Sequence, residues 1–341
     1  MVTSRIPAAT SPILETPMDS TRRQLLLAGM SASVSAAVIG AAPALAAPAL
    51  RTLDIEANGL SFHALEAGEG PLALCLHGFP DSAWTYRHLL PELARAGYRA
   101  VAPFMRGYAP TAIPADGDFS TRALAADASG LHAALGGDER SVLIAHDWGS
   151  AAAYGSLIDQ PGRWRRAAVM NVPPWGVFGQ IAFRYDQLKR SFYFWLFQMG
   201  VAESIVGAND LAFIEGLWRD WSPGFDPSAE LPRVKACLRD PAHLRAALGY
   251  YRDFFAPDRF GTPAWAEAQT AVLGGPVTRP TLYLHGTQDG CIALDATGAD
   301  AVRAALPVGS EVERIARVGH FMLVEAPRQV NGRILRFLGP A

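Results

Sequence analysis

Short, continuous apolar runs punctuate the first half of the chain. Leu72–Leu76, Tyr98–Pro103, Ser141–Ala145 and Ala167–Asn171 carry almost no polar alternation, as expected of strands buried on both faces. Arg51–Glu56 and Leu60–Glu66 read instead as two strands joined at Asn58-Gly59, a dipeptide suited to a tight hairpin turn. Between the runs, Ala83–Ala96 and Phe119–Leu135 have helical spacing, and the second stops at Gly136-Gly137. A further helix follows Ala145 and extends to about Gln160. Buried strands alternating with helices predict an α/β fold with a mostly parallel sheet flanked by helices.

The rhythm breaks at Pro173. Residues 173–276 show helical and aromatic stretches without a convincing strand, and these 104 positions hold 19 of the 33 aromatic residues. The strand–helix alternation then resumes with Thr281–His285, a helix near Leu294–Ala305, a strand at Glu311–Val318 and a last helix to about Leu338. The expected organisation is an α/β core in two parts, 47–172 and 277–341, interrupted by a helical cap at 173–276.

The first residues follow another pattern. Arg22-Arg23 precede a charge-free stretch, rich in Ala, Ser and Gly, that runs to Leu50 and contains Ala44-Leu45-Ala46. Paired arginines, a mildly apolar run and a small-residue cleavage site resemble a twin-arginine export signal over residues 1–46. An uncleaved anchor is the other reading of a run this long. The expectation is export by the twin-arginine machinery to the periplasm or beyond.

Composition changes this picture little. Of 341 residues, 50% are hydrophobic and 18% charged, a globular balance. With 30 basic and 32 acidic residues, the chain lacks the positive excess that nucleic-acid binding requires. Cys75, Cys237 and Cys291 are odd in number and far apart, with neither metal-ligand spacing nor a disulfide framework. No motif calls for a metal or an organic cofactor, and oligomeric state is not readable.

The candidate chemistry sits at strand ends. Ala145-His146-Asp147-Trp148-Gly149 has the form small-x-Asp-x-small between a strand and a helix. A sharp turn of this kind needs small flanking residues and lifts its tip above the sheet. The following helix start offers N–H groups and a positive dipole end to a carboxylate. Asp289 follows the Thr281–His285 strand and His320 follows the last one. Neighbouring parallel strands bring such ends together, and nucleophile, acid, histidine is the chain order of one known triad. His146 reads as a packing or supporting residue, and Cys291 as a small buried hydrophobe.

With His77-Gly78-Phe79-Pro80, His146-Asp147-Trp148-Gly149 and Gly319-His320-Phe321 in place, the chain resembles the α/β-hydrolase superfamily, and within it the soluble epoxide hydrolases, over roughly Leu53 to Leu338. The resemblance implies that Asp147 is a nucleophile forming an ester with substrate. His320, oriented by Asp289, then activates water, and the N–H groups of Phe79 and Trp148 form the oxyanion hole. It also implies two tyrosine donors to an epoxide oxygen. Tyr251 occupies one place in Tyr250-Tyr251-Arg252, and Tyr193 the other in Ser191-Phe192-Tyr193-Phe194-Trp195. Tyr250 and Tyr185 are the alternatives of register.

The expected reaction converts a small apolar epoxide and water to a vicinal diol. Haloalkane or haloacid dehalogenases share the Asp nucleophile and are the alternative. Against them stand Phe79 where a donor such as Asn is usual, Trp148 where fluoroacetate dehalogenases carry Arg, and Asn171, an amide that cannot serve as triad acid. A non-catalytic binding protein of the same fold is a third reading. Gly-x-Ser-x-Gly is absent from the sequence, which disfavours an ester hydrolase.

Overall fold

The computed structural model describes residues 48–341; the expected export signal lies outside them. Eight strands form one sheet in the order β1-β2-β4-β3-β5-β6-β7-β8. They are β1 Arg51–Ala57, β2 Leu60–Ala67, β3 Leu72–Leu76, β4 Arg99–Pro103, β5 Val142–His146, β6 Arg166–Met170, β7 Thr281–Gly286 and β8 Glu311–Ile315. β2 runs antiparallel to both β1 and β4, and the remaining neighbours are parallel. The β1–β2 turn places Asn58 and Gly59 at φ 48° and 72°. Positive φ at both central residues matches the right-handed twist of the strands it joins.

Burial explains the apolar runs. Every residue of β3, β5 and β7 is buried, because helices cover both faces of the parallel part of the sheet. The edge strands β1 and β8 carry exposed positions. Between β6 and β7 the chain is helical, including Trp175–Ile181, Phe192–Leu196, Ala202–Trp221 and Pro241–Phe255. The Ala202–Trp221 helix is interrupted at Ala208–Leu211, where Asn209, Asp210 and Leu211 take left-handed conformations.

Several element ends shift by one or two residues from the sequence expectation, and three stretches differ more, each for a local reason. Ala83–Ala96 is a 3₁₀ turn at Ala83–Tyr86 followed by a helix at Leu90–Arg95. Pro91 lacks an N–H and fits only the first turn of a helix, so the helix starts there. The last helix divides into Met322–Glu325 and Pro327–Leu338 at Pro327 in the same way. β8 stops at Ile315 rather than Val318; Arg317 sits at φ 59° and turns the chain out of the sheet.

The sheet edge that matters is the one at the carboxyl ends of β3, β5, β6, β7 and β8. The helix Trp148–Asp159 leaves β5 so close to β3 that a Cβ on Gly149 would lie 2.1 Å from the Leu76 carbonyl oxygen. Only glycine permits that approach. We expect Gly149→Ala to force the helix off the sheet and cost about 1–3 kcal/mol, read as a lower urea midpoint; an unchanged midpoint would contradict the packing.

Candidate active site

Asp147 stands directly between β5 and its helix, at φ 53° and ψ −124°. This conformation is unfavourable for a residue with a Cβ and is held by the packing on either side. The strained turn exposes the carboxyl group above the sheet edge. Its Oδ1 accepts a hydrogen bond of 2.7 Å from the N–H of Phe79, in the loop after β3. A Cβ on Gly78 would lie 2.2 Å from the same Oδ1 and 2.5 Å from the Trp148 nitrogen, so the loop closes over the carboxylate only because residue 78 is glycine. Burial pushes the Asp147 pKa up, against the nearby His320 and the N–H groups of Phe79 and Trp148, which favour the charged form.

His320 lies beyond β8 with its ring fully buried. Its Nδ1 is 3.1 Å from Asp289 Oδ2 and 3.3 Å from Oδ1. Its Nε2 is 3.7 Å from Asp147 Oδ2 and has no hydrogen-bond partner among the described residues. With Nδ1–H donating to Asp289, Nε2 is the basic atom and points at the free oxygen of Asp147. Burial works to lower the His320 pKa, but the charge and hydrogen bond of Asp289 and the charge of Asp147 outweigh it and raise it.

Asp289 is more heavily supported than the sequence suggested. Its Oδ1 accepts from the N–H groups of Cys291 at 2.7 Å and Ile292 at 3.0 Å. Its Oδ2 accepts from the Asn171 side-chain amide at 2.5 Å. Burial opposes ionisation, yet the charge and hydrogen bond of His320, the nearby His285 and the Asn171 amide hold its pKa well below the ordinary carboxylate range. Asn171 sits at φ 68° immediately after β6. Sequence reasoning dismissed it because an amide is no acid. It is a donor to the acid instead, and its place at a strand end on the same sheet edge was the available signal. His146 supports rather than reacts: its Nε2 lies 3.0 Å from the His320 carbonyl oxygen, where it donates and fixes the histidine loop.

The cap supplies the opposite wall. A cavity of about 80 Å³ is lined by Asp147, Trp148, Tyr193, Phe194, Tyr251 and Phe254, among other mostly apolar residues. The rings of Tyr193 and Tyr251 meet edge to face with centroids 5.4 Å apart. Burial raises both phenol pKa values well above the ordinary one, so both hydroxyls keep their protons at neutral pH. The alternatives of register point elsewhere. Tyr250 donates to the Arg106 carbonyl at 2.9 Å, and Tyr185 is 79% exposed. Cys291 is buried as expected, but it also lines the cavity, 3.4 Å from the Tyr193 hydroxyl. Its contact with the cavity was not foreseen.

Comparison with known proteins agrees with this architecture. The family model described as "Alpha/beta hydrolase family" matches residues 73–333. An epoxide hydrolase of Caballeronia sordidicola is 30% identical over 319 residues, covering 85% of this chain and 94% of that protein. Epoxide hydrolase A of Mycobacterium tuberculosis is 28% identical over 316 residues, covering 83% and 96%. Among solved structures, an epoxide hydrolase from Vigna radiata superposes with a TM-score of 0.71 at 27% identity, covering 85% of this chain and 98% of that one. The chain belongs to the α/β-hydrolase family, among relatives that are epoxide hydrolases.

Proposed function

We propose that this enzyme is an epoxide hydrolase whose nucleophile is Asp147. The observation that carries the reading is one carboxylate and two protonated phenols facing each other across a single apolar cavity. An epoxide needs that pairing: a nucleophile at carbon and a proton donor at the leaving oxygen.

Asp147 Oδ1 is occupied by the Phe79 N–H, so Oδ2 attacks. It forms a bond to one epoxide carbon as that carbon's bond to oxygen breaks. The released alkoxide takes a proton from Tyr251 or Tyr193. The result is an ester between Asp147 and the ring-opened substrate. His320 Nε2 then takes a proton from water, and the hydroxide adds to the Asp147 carbonyl carbon. Negative charge collects on the carbonyl oxygen in the place Oδ1 now holds, where the Phe79 and Trp148 N–H groups stabilise it. Collapse expels the second oxygen of the diol, which takes the His320 proton, and leaves Asp147 as the carboxylic acid. That acid's proton restores the tyrosine and regenerates the carboxylate, and the sum is epoxide plus water to vicinal diol. The mostly apolar cavity suits a compact apolar epoxide. Export is part of the same proposal and rests on Arg22-Arg23 and Ala44-Leu45-Ala46, outside the described residues.

Removing the base should trap the ester. His320→Ala incubated with a panel of epoxides and alkyl halides should gain the mass of one whole epoxide; gain of a haloalkane minus its halogen would assign a dehalogenase instead. Tyr251→Phe and Tyr193→Phe should each slow ester formation about tenfold or more in single-turnover kinetics with a native circular dichroism spectrum, and unchanged rates would remove them from the mechanism. Because His320 must be neutral and its pKa is raised, ester hydrolysis should fall on acidification. The half-point should lie above about pH 6.5, the ordinary histidine value. A rate level down to pH 5 would contradict its role as base.

A further inference from the structure

Asp147 and Cys291, which line the cavity, form with His320 a set of possible metal donors. An Asp147 carboxylate oxygen, the Cys291 sulfur and a His320 ring nitrogen all lie within 4.8 Å of one another, and all three residues are buried. We propose that they form a site for a borderline-soft divalent transition metal of the Zn²⁺ type, and that occupation of this site reversibly silences the enzyme. The inference concerns the same side chains as the hydrolase mechanism, but binding does not depend on an epoxide being the substrate.

Geometry and chemistry both point to this class of ion. Zinc binds carboxylate, imidazole and thiolate at about 2.0–2.3 Å, which puts neighbouring ligand atoms about 3.3–3.7 Å apart in a tetrahedron. His320 Nε2 and Asp147 Oδ2 already stand 3.7 Å apart. Nε2 has no partner among the described residues although the ring is fully buried. The Asp289 hydrogen bond at Nδ1 leaves Nε2 as the lone-pair nitrogen, the arrangement that orients a metal-binding histidine. Among the described residues the thiol's hydrogen-bond contact is the Tyr193 hydroxyl, at 3.4 Å, and its Sγ already lies within 4.8 Å of the other two donors. The remaining position would face the cavity and water.

Charge favours the occupied site. A divalent cation, the Asp147 carboxylate, the Cys291 thiolate and neutral His320 sum to zero, which suits an apolar cavity. The thiol proton leaves to solvent as the metal–sulfur bond forms, with no change of oxidation state. Hard cations such as Mg²⁺ and Ca²⁺ prefer six or more oxygen ligands, and this donor set does not provide them. Cys75 and Cys237, the other free thiols, are buried outside the cavity. Bound metal would hold both the nucleophile and the base, so inhibition should be competitive with substrate.

Cobalt(II) reports this directly. Titrating the reduced protein with Co²⁺ should produce intense tetrahedral d–d bands and a near-ultraviolet thiolate-to-cobalt band, at one equivalent, displaced by Zn²⁺. Cys291→Ser and Cys291→Ala should both lose the thiolate band and weaken Co²⁺ binding at least tenfold. Zn²⁺ should raise the melting temperature of the parent protein and not of a variant whose own melting remains cooperative. Absence of the band from the parent protein, or its persistence in both folded variants, would overturn the proposal. The readout needs no turnover, so a failure of the epoxide-hydrolase reading would appear separately, in the trapped-ester experiment.

Discussion

A single backbone hydrogen bond fixes what this site can do: the Phe79 N–H donates to one oxygen of Asp147 at 2.7 Å. In the proposed mechanism it takes that oxygen out of play as a nucleophile and leaves the other facing the histidine and the cavity. In the same mechanism it places a donor in advance where charge would collect during hydrolysis of the ester. The bond can form only because two glycines keep backbones close. Gly149 lets the helix start against β3, and Gly78 lets the loop pass over the carboxylate. The strained conformation of Asp147 is then held from both sides, and the sheet acts as the rigid base that holds it.

Electrostatics divides labour between two acids that flank one histidine. Asp289 receives two backbone N–H groups and an amide and is the better solvated by protein dipoles. It stays ionised and fixes the tautomer of His320. Asp147 has fewer donors, and burial pushes its pKa up. In the proposed mechanism the same chemical group therefore anchors in one place and attacks in the other, and the two environments differ in how many hydrogen bonds they supply.

Much of this was legible in the sequence, because a doubly covered parallel sheet writes itself as bare apolar runs, and strand ends on one edge must converge. The small residues around Asp147 and the positions of Asp289 and His320 followed from that. The illegible parts are those set by side-chain direction or by contacts across long sequence distances. Tyr250 and Tyr251 are adjacent in sequence, but a helix rotates them about 100° apart, so one packs on Arg106 and the other meets the cavity. Asn171 was judged by what an amide cannot do, while its partner Asp289 lies 118 positions away. Helix starts at Leu90 and Pro327 were blurred because spacing alone does not show where a proline permits a first turn.

The far end of the Ala202–Trp221 helix has one further consequence. The Trp221 carbonyl accepts from the N–H groups of Gly290 at 3.0 Å and His320 at 2.9 Å, and the next residue, Ser222, accepts from Phe321 through its hydroxyl at 3.0 Å. Three residues earlier, the Trp218 indole donates to the Pro80 carbonyl at 2.8 Å. This stretch of the cap is sewn to the acid loop, the histidine loop and the loop after β3 at once. It behaves as a doorpost, not a door: swinging it outward would pull the base off its acid in the same motion. The Tyr185–Arg190 helix grips the same acid loop from the other side, its Arg190 guanidinium donating to the Asp289 carbonyl at 2.6 Å and its Gln187 amide to the Cys291 carbonyl at 2.9 Å.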